Sequence, residues 1–156
     1  MTKPVAIVTG ASRGVGKAVA LLLAEKGWNL TLTCSSSLKE AKKVAKECND
    51  LGAETIVLTA DVSDESKCKE TVQKTIEEWK RLDVLINNAG KTVFNAHENL
   101  AGLKSEDFLE IYKTNTVGPY MMIKEAEEFL RKSPIASVVN IASVSYTHLT
   151  LPTTGS

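Results

Sequence analysis

Short apolar runs alternate along this chain with longer segments in which apolar residues recur at helical spacing. The first run, residues 4–9, is continuously apolar up to Gly10, which is typical of a strand buried on both faces. Residues 15–26 then carry an apolar helical stripe that Gly27 closes. The opening of the chain therefore predicts a buried strand followed by a crossover helix.

The same alternation continues to residue 141. Further strands are predicted at residues 29–34, 54–59, 84–86 and 137–141, and further helices at residues 38–51, 64–81 and 107–131. A capping signature at Ser63 marks the start of one helix, and Gly118-Pro119 predicts an interruption in the last one. Strands alternating with helices predict an α/β fold, a doubly wound, Rossmann-like parallel sheet. We expect it to occupy residues 1–144 and to stop after about the fifth strand.

Composition narrows the class of protein. Lys plus Arg and Asp plus Glu both total 19, so the zero net charge favours neither a nucleic-acid partner nor an anionic membrane partner. The apolar runs are too short to span a membrane, and a strand begins within the first residues where a leader would stand, so we expect a cytoplasmic protein. The three cysteines are far apart and odd in number, which predicts reduced thiols and no metal site.

A glycine-rich turn, TGASRGVG, joins the first predicted strand to the first helix. Gly10 permits positive φ, Gly14 lets backbone amides approach a pyrophosphate, and Gly16 allows close packing of the helix. The helix N-terminus would add N–H donors and partial positive charge. The alternative is a turn needed only for chain reversal. A Walker A loop is excluded, because Ala11 and Ala18 replace residues that it requires. The candidate nucleotide contacts of this turn are Gly10, Ser12, Arg13, Gly14, Val15 and Gly16.

The end of the second predicted strand bears on the choice of cofactor. It reads Cys34-Ser35-Ser36, without the Asp or Glu that binds the 2′-hydroxyl of NAD in this type of fold. Arg13 could instead reach a 2′-phosphate, because a guanidinium donates two parallel hydrogen bonds. The alternative for Arg13 is a solvated loop charge. The sequence therefore predicts NADP rather than NAD, with Ser35 as a further contact.

Polar residues also follow the other predicted strands. Asp61-Val62 comes after the third strand, where Asp61 could accept a hydrogen bond from an adenine amino group or cap the next helix. Asn88, Ala89 and Gly90 come after the fourth, where asparagines could close their own turns or form a shelf for a ribose. The carboxyl ends of parallel strands meet at one edge, so these groups should converge.

Five motifs in order resemble the short-chain dehydrogenase/reductase family from Val5 to about Val144: the glycine-rich turn, Asp61-Val62, NNAG at 87–90, TNTVGP at 114–119 and NIAS at 140–143. Among subgroups the chain looks most like the 3-oxoacyl-[acyl-carrier-protein] reductases. The resemblance implies hydride transfer between a nicotinamide and a small carbonyl or alcohol substrate. It further implies that Asn115 bends a helix and anchors a relay water, that Ser143 bonds the substrate carbonyl, and that the full-length parent is a homo-oligomer.

The chain departs from this family after Val144. The family takes its general acid/base and its partner from a Tyr-x-x-x-Lys helix, roughly a dozen residues past the serine. Here Tyr146 is three residues past Ser143, Thr150 stands where the lysine should be, and no charged residue follows Lys132. We therefore expect a truncated, inactive fragment in which residues 145–156 form a non-native tail. The alternative is a noncatalytic NADP-binding protein, and the downstream gene sequence would distinguish the two.

Overall fold

The computed structural model describes residues 2–96 and 98–142 of the chain. Within them one five-stranded sheet has the order β3-β2-β1-β4-β5, and every pair of neighbours is parallel. The strands are β1 Val5–Val8, β2 Asn29–Cys34, β3 Thr55–Thr59, β4 Val84–Asn87 and β5 Ser137–Asn140. The predicted doubly wound parallel sheet is confirmed.

Helices cover both faces of this sheet. They are α1 Gly14–Glu25, α2 Leu38–Asp50, α3 Glu65–Trp79, α4 Ser105–Tyr112 and α5 Gly118–Leu130. One apolar cluster joins α1 and α2 to the sheet, and a second joins α3 and α5 to its opposite face. No helix in the described ranges has the length and hydropathy needed to cross a bilayer.

The alternation of side chains along each strand explains the two clusters. Ala6 and Val8 of β1 pack with α1 and α2, whereas Ile7 between them packs with α3 and α5. All four residues of β1 are fully buried, since a helix layer lies over each face. The continuous apolar run at the start of the chain therefore reflects the burial of β1 between two layers of helices.

One predicted detail of the helices was wrong and another is confirmed. The N-cap of α3 is Asp64, whose carboxylate accepts the Ser66 amide at 2.8 Å, and not Ser63. The interruption predicted near Gly118-Pro119 is confirmed, and it takes the form of a π-helical segment at Lys113–Val117, directly before these two residues. Proline does not break α5 because it lies in the first turn, where a backbone N–H has no intrahelical acceptor.

Gly118 has a packing role at the start of α5. A Cβ atom at this position would lie 2.8 Å from Cγ2 of Val62 and 3.0 Å from its carbonyl oxygen. Any larger residue would push α5 away from the loop that follows β3. The glycine that the sequence suggested as a helix breaker thus allows a close contact between a helix and a loop.

Strand β5 lies at the edge of the described sheet. It pairs with β4 alone, from Val84↔Ser137 to Asn87↔Asn140. Val138 and Val139 are 38% and 39% exposed, in contrast to the fully buried β1. Within the described residues this edge presents apolar side chains and unpaired backbone groups to solvent.

A buried carboxylate fastens the amino ends of the strands. Asp83, 1% exposed, accepts the Val5 amide at 2.8 Å, two bonds from the Arg81 guanidinium at 2.8 Å each, and the Ser133 hydroxyl at 2.6 Å. Its own backbone bonds Val5 and Ser137, so it contacts β1, β4 and the entry to β5. Burial raises the pKa of Asp83, but the hydrogen bonds from Arg81, Ser133 and the Val5 amide outweigh it and hold the pKa below its ordinary value.

We expect Asp83→Asn to lower the free energy of unfolding by about 3 kcal/mol, because Arg81 would remain half-buried without its charged partner. The folded-state pKa of Asp83 is depressed, so its contribution is present above the unfolded-state pKa of about 4 and is lost as the pH falls through the folded value. Urea unfolding between about pH 3 and pH 7 measures both effects. The free energy of unfolding of Asp83→Asn should therefore fall less on acidification than that of the unaltered chain.

The matched control for that prediction is Glu127→Gln. Glu127 pairs with Arg131 at 2.6 Å, but both side chains are more than half exposed. Its loss should cost no more than about 0.5 kcal/mol. Equal losses for the two variants would contradict the role assigned to Asp83.

Candidate functional site

The site lies where the connections of the sheet diverge. From β1 the chain moves outward to β2 and β3, whereas β4 and β5 lie on the other side of β1. The loops after β1 and β4 therefore lead to helices on opposite faces of the sheet. A crevice lies between these loops at the carboxyl ends of the strands. A cleft of about 560 Å³ opens there.

The cleft is lined by residues that follow four strands and by one residue of the π-helical segment: Gly10, Ser12, Arg13 and Gly14 after β1; Cys34, Ser35, Ser36 and Ser37 at the end of β2; Ala60, Asp61 and Val62 after β3; Asn88, Ala89, Gly90 and Lys91 after β4; and Thr114. Most of the nucleotide contacts predicted from the sequence are among them. Val15 and Gly16 are not: Val15 is 54% exposed on α1, and Gly16 is buried beneath the turn. The predicted convergence is confirmed for Gly10, Asp61 and Asn88, whereas Ser143, the fourth residue in that prediction, lies outside the described residues.

Thr9 and Asn88 fasten the two loops of the crevice to each other. The Thr9 hydroxyl oxygen accepts the amides of Asn88 and Ala89, each at 3.0 Å, and donates to the Ile86 carbonyl at 3.3 Å. The Asn88 side-chain amide donates to the carbonyls of Thr9 and Gly10, both at 3.0 Å. These bonds hold the glycine-rich turn and the loop after β4 as one rigid floor.

The three glycines of the turn meet different constraints. Gly10 has φ +65°, and a Cβ there would lie 2.9 Å from the Ala89 Cα. A Cβ at Gly16 would collide with the Asn88 side-chain amide and the Gly10 carbonyl oxygen. Gly14 has φ +56°, yet nothing lies within 4 Å of its Cβ position. Gly16 thus makes space for the fastening residues, whereas Gly14 leaves its own backbone open to the cleft.

Two helices begin at the cleft without a side-chain cap. Arg13 is the N-cap residue of α1 and Ser37 that of α2, and neither side chain makes a capping hydrogen bond. By contrast α3, which begins beyond the cleft, is capped by Asp64. The first-turn N–H groups of α1 and α2 therefore lack a side-chain acceptor, and each helix end carries partial positive charge. Such ends suit an anionic ligand.

Asp61 closes a turn and does not cap α3. Its Oδ1 accepts the Ser63 amide at 2.9 Å, and its carbonyl accepts the Asp64 amide at 3.0 Å. The alternative of a helix cap is wrong, because Asp64 fills that position. The turn presents the exposed Asp61 side chain to the cleft. Val62 is only 5% exposed and connects the cleft wall to α5 through its contact with Gly118.

Asn115 lies in the π-helical segment and forms hydrogen bonds with the loop after β4, which lines the cleft. Its Oδ1 accepts the Lys91 amide at 2.8 Å, and its Nδ2 donates to the Lys91 carbonyl at 2.9 Å. The pair of bonds satisfies both backbone groups of Lys91, as pairing with a neighbouring strand would. It fixes the loop after β4 where Lys91 lines the cleft. An asparagine inside a widened helical turn can make this pair because its amide both donates and accepts.

The remaining predicted residues divide into two groups. Ser143, Val144 and Tyr146 lie outside the described residues. The strand that precedes them is anchored to the site, since the Asn87 amide donates to the Asn140 side-chain oxygen at 2.9 Å. Sequence reasoning missed Thr9, Ser37, Ala60, Lys91 and Thr114. Thr9 could have been found, because a hydroxyl at the end of an otherwise apolar central strand needs a hydrogen-bond partner.

Comparisons with known proteins agree with this geometry. The family described as short chain dehydrogenase matches residues 4–150. A 3-oxoacyl-[acyl-carrier-protein] reductase from Staphylococcus aureus is 33% identical over 92% of this chain and 57% of its own length. One from Synechocystis is 34% identical over 93% of this chain and 58% of its own. The chain thus spans little more than half the length of these relatives.

Solved structures give the same result. A protein from Burkholderia xenovorans assigned to the short-chain dehydrogenase/reductases superposes with a TM-score of 0.90 at 32% identity, covering 97% of this chain and 64% of the other. One from Sinorhizobium meliloti, assigned to the short-chain alcohol dehydrogenases, gives a TM-score of 0.82 at 26% identity over 93% and 56% of the two chains. The chain belongs to the short-chain dehydrogenase/reductase family and has its fold.

Proposed function

We propose that this chain binds a nicotinamide dinucleotide in the cleft, as part of an oxidoreductase that moves a hydride between the nicotinamide and a carbonyl or alcohol carbon. The observation that carries the proposal is the cleft at the switch point, into which α1 and α2 direct uncapped N-termini. The names of the relatives, which are reductases of a 3-oxoacyl group, support a carbonyl substrate.

Each strand end has its own proposed role. The glycine-rich turn would bind the pyrophosphate through Gly10, Ser12 and Gly14, which line the cleft, while Gly16 would keep the turn close to the loop after β4. Asp61 and Val62 would hold the adenine, since the Asp61 carboxylate accepts hydrogen bonds and Val62 offers an apolar surface. Asn88, Ala89 and Gly90 would form the shelf for a ribose, because small residues there leave room for the sugar.

The proposed cofactor is NADP rather than NAD. Strand β2 ends in Cys34, and the serines that line the cleft after it, with Ser35 first, offer no carboxylate to repel a 2′-phosphate. Arg13 lines the same cleft and takes part in none of the ion pairs between described residues, so its guanidinium is available to an anion.

In the catalytic step we assign Ser143 to the substrate carbonyl, where its hydroxyl would stabilise developing negative charge. Asn115, which holds the Lys91 backbone, would anchor a relay water. No lysine follows Lys132 in the 156 residues, so the Tyr-x-x-x-Lys pair of the family is not among them. We propose that residues 1–144 are the nucleotide-binding part of the enzyme and that residues 145–156 are not native to it.

The lack of that pair also favours a second candidate, a noncatalytic NADP-binding protein. Both candidates share the cleft and differ in whether a Tyr-x-x-x-Lys helix follows in the gene. The three cysteines are buried free thiols, which fits a reducing, cytoplasmic compartment for either. A homo-oligomeric parent remains part of the first proposal.

The first test is titration calorimetry with NADPH and NADH. We expect tighter binding of NADPH, and we expect Arg13→Ala to weaken it by about tenfold or more, the loss of one charge-assisted bidentate contact. NADH affinity should be nearly unchanged in the variant, because NADH lacks the 2′-phosphate. Equal or tighter binding of NADH by the unaltered chain would contradict the proposed preference.

The second test compares two glycines of the pyrophosphate turn. Gly16→Ala should lower the free energy of unfolding by about 1–3 kcal/mol and weaken NADPH binding by about tenfold, because the added methyl group displaces Asn88. Gly14→Ala is the control for stability, because a Cβ at Gly14 would meet open space. Its free energy of unfolding should fall by only about 1 kcal/mol, the cost of its positive φ. Denaturation and calorimetry measure both. If Gly16→Ala changed neither the free energy of unfolding nor NADPH binding, the proposed role of the Thr9 and Asn88 hydrogen bonds would be refuted.

The third test is steady-state NADPH oxidation with small ketones or 3-oxoacyl thioesters. We expect little or no turnover by the 156-residue chain, because loss of a positioned acid/base alone costs about 10²–10⁴-fold. Ser143 could orient a carbonyl. The tyrosine and lysine that supply the proton in the family are not at their expected positions in this chain. A measurable rate that Tyr146→Phe abolishes would show that Tyr146 acts as the acid, contrary to this prediction.

A further inference from the structure

Lys91 brings a positive charge to the wall of the cleft formed by the loop after β4. Among the described residues that line the cleft, Arg13 and Lys91 are the cations and Asp61 is the carboxylate. Every nicotinamide dinucleotide carries negative charge on its pyrophosphate, and NADP adds a 2′-phosphate. Because Arg13 is assigned to the 2′-phosphate, Lys91 is the lining cation that is left for the pyrophosphate.

The main chain of Lys91 is fixed close to the glycine-rich turn. The Asn115 side chain accepts the Lys91 amide at 2.8 Å and donates to the Lys91 carbonyl at 2.9 Å. Two residues earlier, the Ala89 amide donates to the Thr9 hydroxyl at 3.0 Å. The turn approaches Ala89 so closely that a Cβ at Gly10 would lie 2.9 Å from the Ala89 Cα. The Lys91 side chain therefore starts from a fixed backbone, beside the turn that would bind the pyrophosphate.

The partner of the Lys91 side chain in this structure is easily replaced. Its ammonium donates to the Glu110 carboxylate of α4 at 3.2 Å, and the two side chains are 46% and 53% exposed. Water screens such a pair, so its loss costs little free energy. Lysine has a flexible four-carbon stem, which can turn to another acceptor while its backbone stays in place. Glu110 itself is not among the residues that line the cleft.

We propose that Lys91 is a pyrophosphate-binding residue, and that its ammonium exchanges Glu110 for the pyrophosphate when a dinucleotide binds. The inference rests on the proposed function, since it requires a dinucleotide whose pyrophosphate lies on the glycine-rich turn. That turn supplies backbone N–H groups and the partial positive charge of the α1 N-terminus. Lys91 adds a full positive charge from the loop after β4.

Arg13 and Lys91 therefore differ in the cofactors that they serve. NADP and NAD share the pyrophosphate, so removal of the Lys91 charge weakens the binding of both. Removal of the Arg13 charge weakens the binding of NADP alone. Glu110 competes with the pyrophosphate for the same ammonium, so removal of the Glu110 charge tightens the binding of both cofactors.

The experiment is calorimetry of NADPH, NADH and ADP binding to the 156-residue chain carrying Lys91→Gln. We expect all three affinities to fall by about three- to tenfold, the scale of one unit charge acting on a phosphate through solvent. Salt at about 0.5 M should shrink this loss. Glu110→Gln should raise the three affinities by about twofold. Binding of 2′-AMP, which has a 2′-phosphate but no pyrophosphate, should be the same in Lys91→Gln as in the unaltered chain.

The matched control is Lys113→Gln. Lys113 is an exposed lysine of the π-helical segment that does not line the cleft and takes part in none of the ion pairs between described residues. Its loss should change each affinity by less than about twofold, because solvent screens its charge. Lys91→Arg keeps the charge and should keep most of the affinity. Lys91→Gln should unfold at the same urea concentration as the unaltered chain, because the Asn115 bonds to the backbone remain.

Unchanged NADPH and NADH affinities in Lys91→Gln, or an equal loss in Lys113→Gln, would overturn this inference and leave the proposed function standing. A loss confined to NADPH and 2′-AMP would also overturn it, since Lys91 would then contact the 2′-phosphate. So would a lower urea midpoint for Lys91→Gln with no recovery of affinity in Lys91→Arg, which would indicate a structural role. Absence of NADPH and NADH binding in the unaltered chain and in every variant would overturn both.

Discussion

The hydrogen bonds between Thr9 and the loop after β4 are the constraint on which the site depends. A parallel sheet fixes where strands end, but it does not fix the loops beyond them. Here one hydroxyl oxygen accepts two successive amides, and the side chain of Asn88 returns two bonds to the glycine-rich turn. This exchange is possible only because Gly10 and Gly16 leave room for it. The glycine pattern is therefore as much a requirement of the fastening as of a ligand.

A second fastening acts at the opposite end of the same two strands. Asp83 bonds β1, the Arg81 guanidinium and Ser133 at the amino ends, while Thr9 and Asn88 bond the carboxyl ends. Between them β1 and β4 are buried by helices on both faces. Because the strand pair is fixed at both ends, the cleft floor cannot shift in register without breaking the bond from the Val5 amide to the buried Asp83 carboxylate and the bonds between Thr9 and the loop after β4. A rigid floor suits the binding of a large, flexible dinucleotide.

Most of the fold could be predicted because its signals are local. The continuous apolar β1, the stripe on α1 and the strand β2 were found within one or two residues of their bounds. The interruption near Gly118-Pro119 was found as well, but its π-helical form at Lys113–Val117 was not, because that form accompanies the long-range pairing of Asn115 with the Lys91 backbone. Lys91 and Thr114 were missed in the cleft for the same reason. Residues brought in by a neighbouring element leave no pattern of their own in the sequence.

The strands of the described sheet differ widely in exposure. All four residues of β1 are fully buried, whereas all four of β5 are exposed and α4 has no buried residue. Among the described residues, the cleft takes its lining from the ends of β1, β2, β3 and β4 and from one residue of the π-helical segment. The fully buried β1 thus ends at the floor of the cleft. Because the free energy of local opening varies across a structure, we expect the exposed β5 edge to open more readily than the fastened floor.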